Sequence, residues 1–139
     1  MSSPDSSTKN RRKPAAKPDL SGKRILVVED SPVVAPFTAD ILGELGCVVV
    51  GPAPNMAAAR ALIESETLDA ALMDVHIRGE RVFPLCDLLE AKDVPFILTS
   101  GYGDWKVPEK LEDRPRLQKP YTIKDVERAL KSLLGKRER

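Results

Sequence analysis

The chain has 139 residues, 42% of them hydrophobic, 31% charged and 4% aromatic, which is enough apolar material for one core built mainly from Val, Leu, Ile and Ala. Twenty-two Lys and Arg stand against 21 Asp and Glu, and the net charge of +1 makes no general electrostatic case for nucleic acid. No apolar run approaches a membrane span, the N-terminus carries no secretion-signal stretch, and the two cysteines, Cys47 and Cys86, have no zinc-ligand spacing, so a reduced, cytoplasmic protein is expected.

Residues 1–22 are rich in Ser, Pro, Lys and Arg and read as a disordered basic tail, with folded structure expected from Lys23. Arg24 to Val28 forms a short, largely apolar strand. Ser31 and Pro32 read as a helix N-cap and first helical residue, ahead of an apolar face of Val34, Phe37, Ile41, Leu42 and Leu45 that Gly46 ends. Pro36 lies deep for a first-turn proline and predicts an irregular start. Cys47 to Val50 is a second strand, stopped by Gly51 and Pro52. Asn55 caps a helix carrying Met56, Ala59, Leu62 and Ile63, and Asp69 to Asp74 is the third strand. After Gly79 comes a helix with Val82, Leu85, Cys86 and Leu89 on one face.

Val94 to Thr99 is the fourth strand, broken by Gly101, Tyr102 and Gly103. Trp105 to Glu112 is read as a short helix, and Arg114 to Gln118 as a fifth strand whose Pro115 suggests an edge. Thr122 with Asp125 resembles a capping box and opens a last helix bearing Ile123, Val126, Leu130, Leu133 and Leu134. Residues 136–139 form a short basic C-terminal tail. Five strands alternating with five helices predict a doubly wound α/β domain, its parallel sheet covered on both faces.

In such sheets ligands bind beyond the carboxyl ends of the strands. Those ends carry Glu29 and Asp30, Asp74, Ser100 and Lys119. Three neighbouring carboxylates resist joint ionisation, and a hard divalent cation such as Mg²⁺ resolves that conflict. The metal and Lys119 would neutralise an incoming phosphoryl group, with Asp74 as a carboxylate nucleophile. Taken singly, each residue also has a plainer reading. Asp74 would end a strand, the acidic pair would face a helix dipole, Ser100 would sit in a turn, and Lys119 would be solvated. His76, the only histidine, reads as a partly exposed side chain beside the site, and Trp105 as packing.

The segments Ile25 to Asp30, Leu72 to Val75, Pro95 to Gly101 and Leu117 to Pro120 resemble response-regulator receiver domains of the CheY-like kind, in the right order and each at a strand end. The resemblance covers about Lys23 to Leu134, within a receiver domain placed at residues 23–135. It implies a flavodoxin-like five-stranded parallel sheet of strand order 2-1-3-4-5. It also implies Asp74 as phosphoacceptor, Asp30 as a direct Mg²⁺ ligand, Glu29 acting through water, and the His76 backbone carbonyl completing the metal shell. Ser100 matches the switch hydroxyl, Lys119 the family's lysine, and Pro120 the proline after it, whose preceding peptide bond is often cis. The family's aromatic residue three positions before the lysine is here Arg116. The Thr-Ser-Gly-Tyr-Gly stretch instead resembles a single-domain subgroup, with Tyr102 as candidate switch ring and a reduced fourth helix.

The resemblance implies a single-domain response regulator of a two-component phosphorelay and no enzyme acting on a separate substrate. A histidine kinase or phosphotransfer protein would phosphorylate it. A downstream protein would read the face formed by helix four, strand five and helix five, with the chain a monomer or a phosphorylation-dependent dimer. An aspartyl-phosphate phosphohydrolase is the alternative, weakened because the position two residues after Asp74 holds His76 rather than a carboxylate. A phosphorylation-independent binding module is the other.

Overall fold

The structure, a computed structural model, describes residues 19–101 and 106–137. The sheet strands are β1 (Arg24–Val28), β2 (Val48–Ala53), β3 (Ala70–Asp74), β6 (Phe96–Ser100) and β7 (Arg116–Gln118), with a small β4 (His76–Ile77) and β5 (Glu80–Arg81) between the third and fourth. The helices are α1 (Val34–Glu44), α2 (Met56–Ser65), α3 (Phe83–Ala91) and α4 (Ile123–Arg137). The five main strands are all parallel, in the order β2-β1-β3-β6-β7. Counting those strands alone, this is the expected 2-1-3-4-5.

Alternation along β1 divides the interior. Leu26 and Val28 face a core shared with Ala59 and Ile63 of α2 and Leu85 and Leu89 of α3. Ile25 and Val27 face the opposite core, which holds Ile41 and Leu42 of α1 and Val126 and Leu130 of α4. Strands buried on both faces explain the unbroken apolar runs in β1 and β3. Leu20, ahead of the expected start at Lys23, is only 3% exposed and belongs to the α1/α4 core. Cys47 and Cys86 are both buried free thiols, and burial pushes the Cys86 thiol up to about 12.

Local chemistry sets the helix ends. The Asn55 side chain accepts the Ala58 amide at 2.8 Å, as expected of a cap. Thr122 and Asp125 exchange the two bonds of a capping box, 2.9 and 3.2 Å. Ser31 Oγ accepts from Val33 and Val34 at 3.2 and 3.1 Å, but regular helix begins only at Val34, two residues later than expected.

Three expectations need correction, and one unassigned stretch gains a structure. The second strand is not stopped at Gly51 and Pro52. It runs through them to Ala53, because Gly51 at φ +96° and an irregularity in the β1 register absorb the turn. The stretch after Asp74, unassigned from sequence, is a hairpin with Arg78 (φ 51°) and Gly79 (φ +80°) at its tip. The short helix expected over Trp105 to Glu112 is, among the described residues, only a 3₁₀ turn over Glu109–Leu111, so five α-helices become four. The fully buried Leu111 plugs the core there, and Arg116 of β7 donates to the Glu112 carbonyl at 3.0 Å. The fifth strand is shorter than expected, three residues at the sheet edge, as Pro115 suggested.

Two glycines give opposite expectations. A Cβ on Gly51 would lie 2.7 Å from the Ala53 nitrogen and 3.0 Å from the Val27 oxygen, while Gly43 on exposed α1 has open space. Gly51→Ala should therefore cost about 2 kcal/mol or more. Gly43→Ala should gain up to about 1 kcal/mol. Urea midpoints moving in opposite directions would confirm both, and an unchanged midpoint for Gly51→Ala would refute the close approach.

Candidate metal and phosphoacceptor site

Four chain segments deliver polar groups to one rim of the sheet. β1 runs out into Glu29 and Asp30, β3 ends on Asp74, β6 ends on Ser100, and Lys119 directly follows β7. Parallel register sets the meeting: Val28 pairs Met73, Asp74 pairs Thr99, and Ser100 pairs Gln118. Asp30, Asp74, His76, Ser100 and Lys119 line one open cavity of about 880 Å³, whose apolar wall is Val34, Phe37, Pro120 and Tyr121. The peptide bond between Lys119 and Pro120 is cis, as the resemblance implied.

The Lys119 ammonium is the centre of charge. Its Nζ lies 2.7 Å from Glu29 Oε1 and 2.7 Å from Asp74 Oδ2. Each of Glu29, Asp30 and Asp74 offers a carboxylate oxygen within 4.8 Å of the others. Glu29 is only 4% exposed, and its burial raises its pKa above the usual range, with the Lys119 bond pulling partly back. Burial pulls the Lys119 ammonium down, but its bonds to Asp74 and Glu29 outweigh that and leave it raised.

Backbone amides hold the carboxylates in place. Glu29 Oε2 accepts from Ser31 N–H at 3.1 Å, Asp74 Oδ1 from His76 N–H at 3.1 Å, and Asp30 Oδ2 from Arg78 N–H at 2.8 Å. Three oxygen-bearing acids in one pocket form a donor set that suits Mg²⁺, a hard cation that takes oxygen ligands and retains waters. Glu29, Asp30, Asp74, His76, Ser100 and Lys119 thus come together as the sequence suggested. Tyr102 lies outside the described residues, as does Trp105. The Arg78 amide on Asp30 has no counterpart in the sequence reading, which assigns no structure to the hairpin that aims it. The hydrogen bond between Thr38 Oγ1 and Tyr121 Oη, 2.6 Å long, was also missed. Thr38, a hydroxyl on the apolar face of α1, was its one sequence signal.

A doubly wound sheet of this order, with clustered carboxylates and a lysine at its carboxyl rim, defines the receiver class of α/β domain. The family description "Response regulator receiver domain" matches residues 25–131, and the chain belongs to that family. It is therefore a receiver domain of the two-component response-regulator type, a phosphoacceptor module. It is similar to SdrG from Sphingomonas melonis Fr1 at 40% identity, covering 81% of this chain and 97% of that one with a TM-score of 0.74. The BeF₃-activated conformation of SdrG matches at 39% identity, covering 82% and 98%, with a TM-score of 0.71. A receiver domain of a sensor histidine kinase from Pseudomonas aeruginosa PAO1, with magnesium coordinated in its active site cleft, shares the fold at 23% identity, 83% and 99% coverage and a TM-score of 0.70. No curated protein sequence matches the chain significantly.

The ion pairs give a signed expectation. Lys119→Met leaves Glu29 and Asp74 facing each other uncompensated and should cost about 1–3 kcal/mol at pH 8. The raised Glu29 pKa means the folded state takes up a proton there more readily than the unfolded chain, so acidification relieves the repulsion. The stability gap between variant and parent should shrink from pH 8 to pH 5 in urea titrations. A gap that widens instead would contradict the assignment.

Proposed function

We propose that the chain acts as a single-domain response regulator in which Asp74 is the phosphoacceptor. The observation that carries this reading is Lys119 Nζ held 2.7 Å from both Asp74 and Glu29, in the cavity that Asp30 and Ser100 also line. A carboxylate of Asp74 attacks the phosphorus of a phosphohistidine on a histidine kinase or phosphotransfer protein. The new bond is carboxylate oxygen to phosphorus. The bond that breaks joins phosphorus to the donor imidazole nitrogen, which departs with the electron pair. Catalysis is then mostly positioning and charge stabilisation, and Lys119 stands where it can meet a phosphoryl oxygen.

Asp30, Asp74 and the His76 carbonyl, with Glu29 through water, are the groups that would hold Mg²⁺, which supplies charge neutralisation when bound. Magnesium in the cleft of the histidine-kinase receiver and the activated form of SdrG with a beryllofluoride phosphoryl mimic support this use of the site. Ser100, 4% exposed at the end of β6, donates its hydroxyl to an oxygen of the acyl phosphate in this reading and draws the following loop inward. Phosphorylation thereby biases a pre-existing equilibrium between two arrangements.

In this reading the Gly-Tyr after Ser100 marks the single-domain subgroup, and Tyr102 takes the part of the ring that Arg116 replaces. Output passes through the flank formed by β7, α4 and the segment before β7, where a downstream protein binds. The chain is cytoplasmic, catalyses nothing beyond its own phosphorylation and dephosphorylation, and acts as a monomer or as a phosphorylation-dependent dimer. No described helix is long and apolar enough to cross a membrane.

Two measurements test the assignment together. Wild-type chain should take up label from a phosphorylated histidine phosphotransfer protein only with Mg²⁺, and lose that labelling to chelator. Asp74→Asn should reduce stable labelling at least a hundredfold. Full labelling of Asp74→Asn would overturn the choice of acceptor.

A further inference from the structure

Lys119 has a demanding position. It follows a three-residue strand at the sheet edge, paired on one side only, by β6. From there its side chain reaches past β6 to Asp74 and on to Glu29 beyond β1. Backbone support is thin: its own amide donates to the Ser100 carbonyl at 2.8 Å. A lysine with four rotatable bonds, carried by so short an element, needs another anchor to hold its reach.

That anchor lies two residues on. Tyr121 is 4% exposed, and its hydroxyl shares a 2.6 Å hydrogen bond with Thr38, itself 1% exposed on α1. The Tyr121 ring also packs on Phe37, with centroids 6.4 Å apart. The same helix is tied to the acidic side of the pocket, since Ser31 donates its amide to Glu29 while its hydroxyl receives the amides of Val33 and Val34. A closed circuit results, from Glu29 through Ser31 and α1 to Thr38, across to Tyr121, back to Lys119 and on to Glu29. Burial pushes the Tyr121 phenol up, so it stays protonated and able to share this bond throughout the neutral range.

We infer that Tyr121, through its hydrogen bond to Thr38, is a positioning residue that fixes the Lys119 ammonium over the phosphoacceptor pocket. The inference rests on Asp74 being the acceptor. It goes further by assigning a role to two residues outside the acidic cluster and its lysine. Removing the bond leaves the carboxylates on β1 and β3 where they are, while the lysine loses its fixed reach. The deficit should appear in the rate of phosphoryl transfer and not in metal binding.

The test uses the full chain with radiolabelled acetyl phosphate, a small donor that needs no protein docking, and Mg²⁺. Tyr121→Phe keeps the ring and loses the hydroxyl, and Thr38→Val loses the partner. Each should lower the maximal labelling rate at saturating donor about tenfold, the scale of a modest misplacement of a catalytic group. The Mg²⁺ dissociation constant, read by calorimetry, should stay within about twofold of wild type, well under the roughly 1.4 kcal/mol that a tenfold change represents. The double variant should be no slower than the slower single one, because both remove the same bond. Thr38→Ser, which keeps a hydroxyl, should run several times faster than Thr38→Val.

Folded variants that label at the wild-type rate would overturn the inference. So would a parallel loss of Mg²⁺ affinity, which marks a collapse of the whole pocket. Multiplicative losses in the double variant would also overturn it. Should Thr38→Val fail to fold, Tyr121→Phe and Thr38→Ser carry the comparison alone. Failure of wild-type chain to label, or undiminished labelling of Asp74→Asn, would instead refute the acceptor assignment.

Discussion

The lysine ammonium wedged between two carboxylates is the contact on which the rest of the pocket depends. Glu29, Asp30 and Asp74 bring oxygens within 4.8 Å of one another, and one of the three is almost fully buried. Like charges at such distances repel strongly where water is scarce. Lys119 balances two of them, and backbone amides from Ser31, His76 and Arg78 polarise all three. The arrangement holds negative charge ready for a cation without letting the site fly apart in its absence. The parallel sheet is what makes this possible, because it stacks the carboxyl ends of β1, β3, β6 and β7 along one rim.

Much of this was legible in the residue order. Strands buried on both faces write themselves as short apolar runs, and polar residues just past those runs mark the rim. Asp74 after Leu72 and Met73, and Ser100 after Leu98 and Thr99, were visible for that reason. The helix caps at Asn55 and Thr122 were equally plain, since a side chain bonding three residues ahead leaves a fixed spacing.

What was missed depends on contacts between distant residues or on unusual backbone. Gly51 and Pro52 look like a stop, yet a positive φ at Gly51 lets pairing with β1 resume at Ala53. The hairpin after Asp74 needs Arg78 in the left-handed region, which its sequence does not advertise. The segment before β7 reaches the core through the buried Leu111 and the partly buried Val107 while forming no more than a 3₁₀ turn. Nothing in the order of residues links Thr38 to Tyr121, which stand 83 positions apart.

Leu20 has a practical consequence for where this domain is cut. Similarity to the family starts at residue 25, and the first strand at Arg24. Yet the Leu20 side chain is packed with Ile41, Leu42, Leu130 and Leu134, and its carbonyl accepts the Lys23 amide at 3.1 Å. A fragment trimmed to the matched boundary would expose an oily notch between two helices. Such a fragment would be stickier in solution than the longer chain, through a loss that has nothing to do with phosphate.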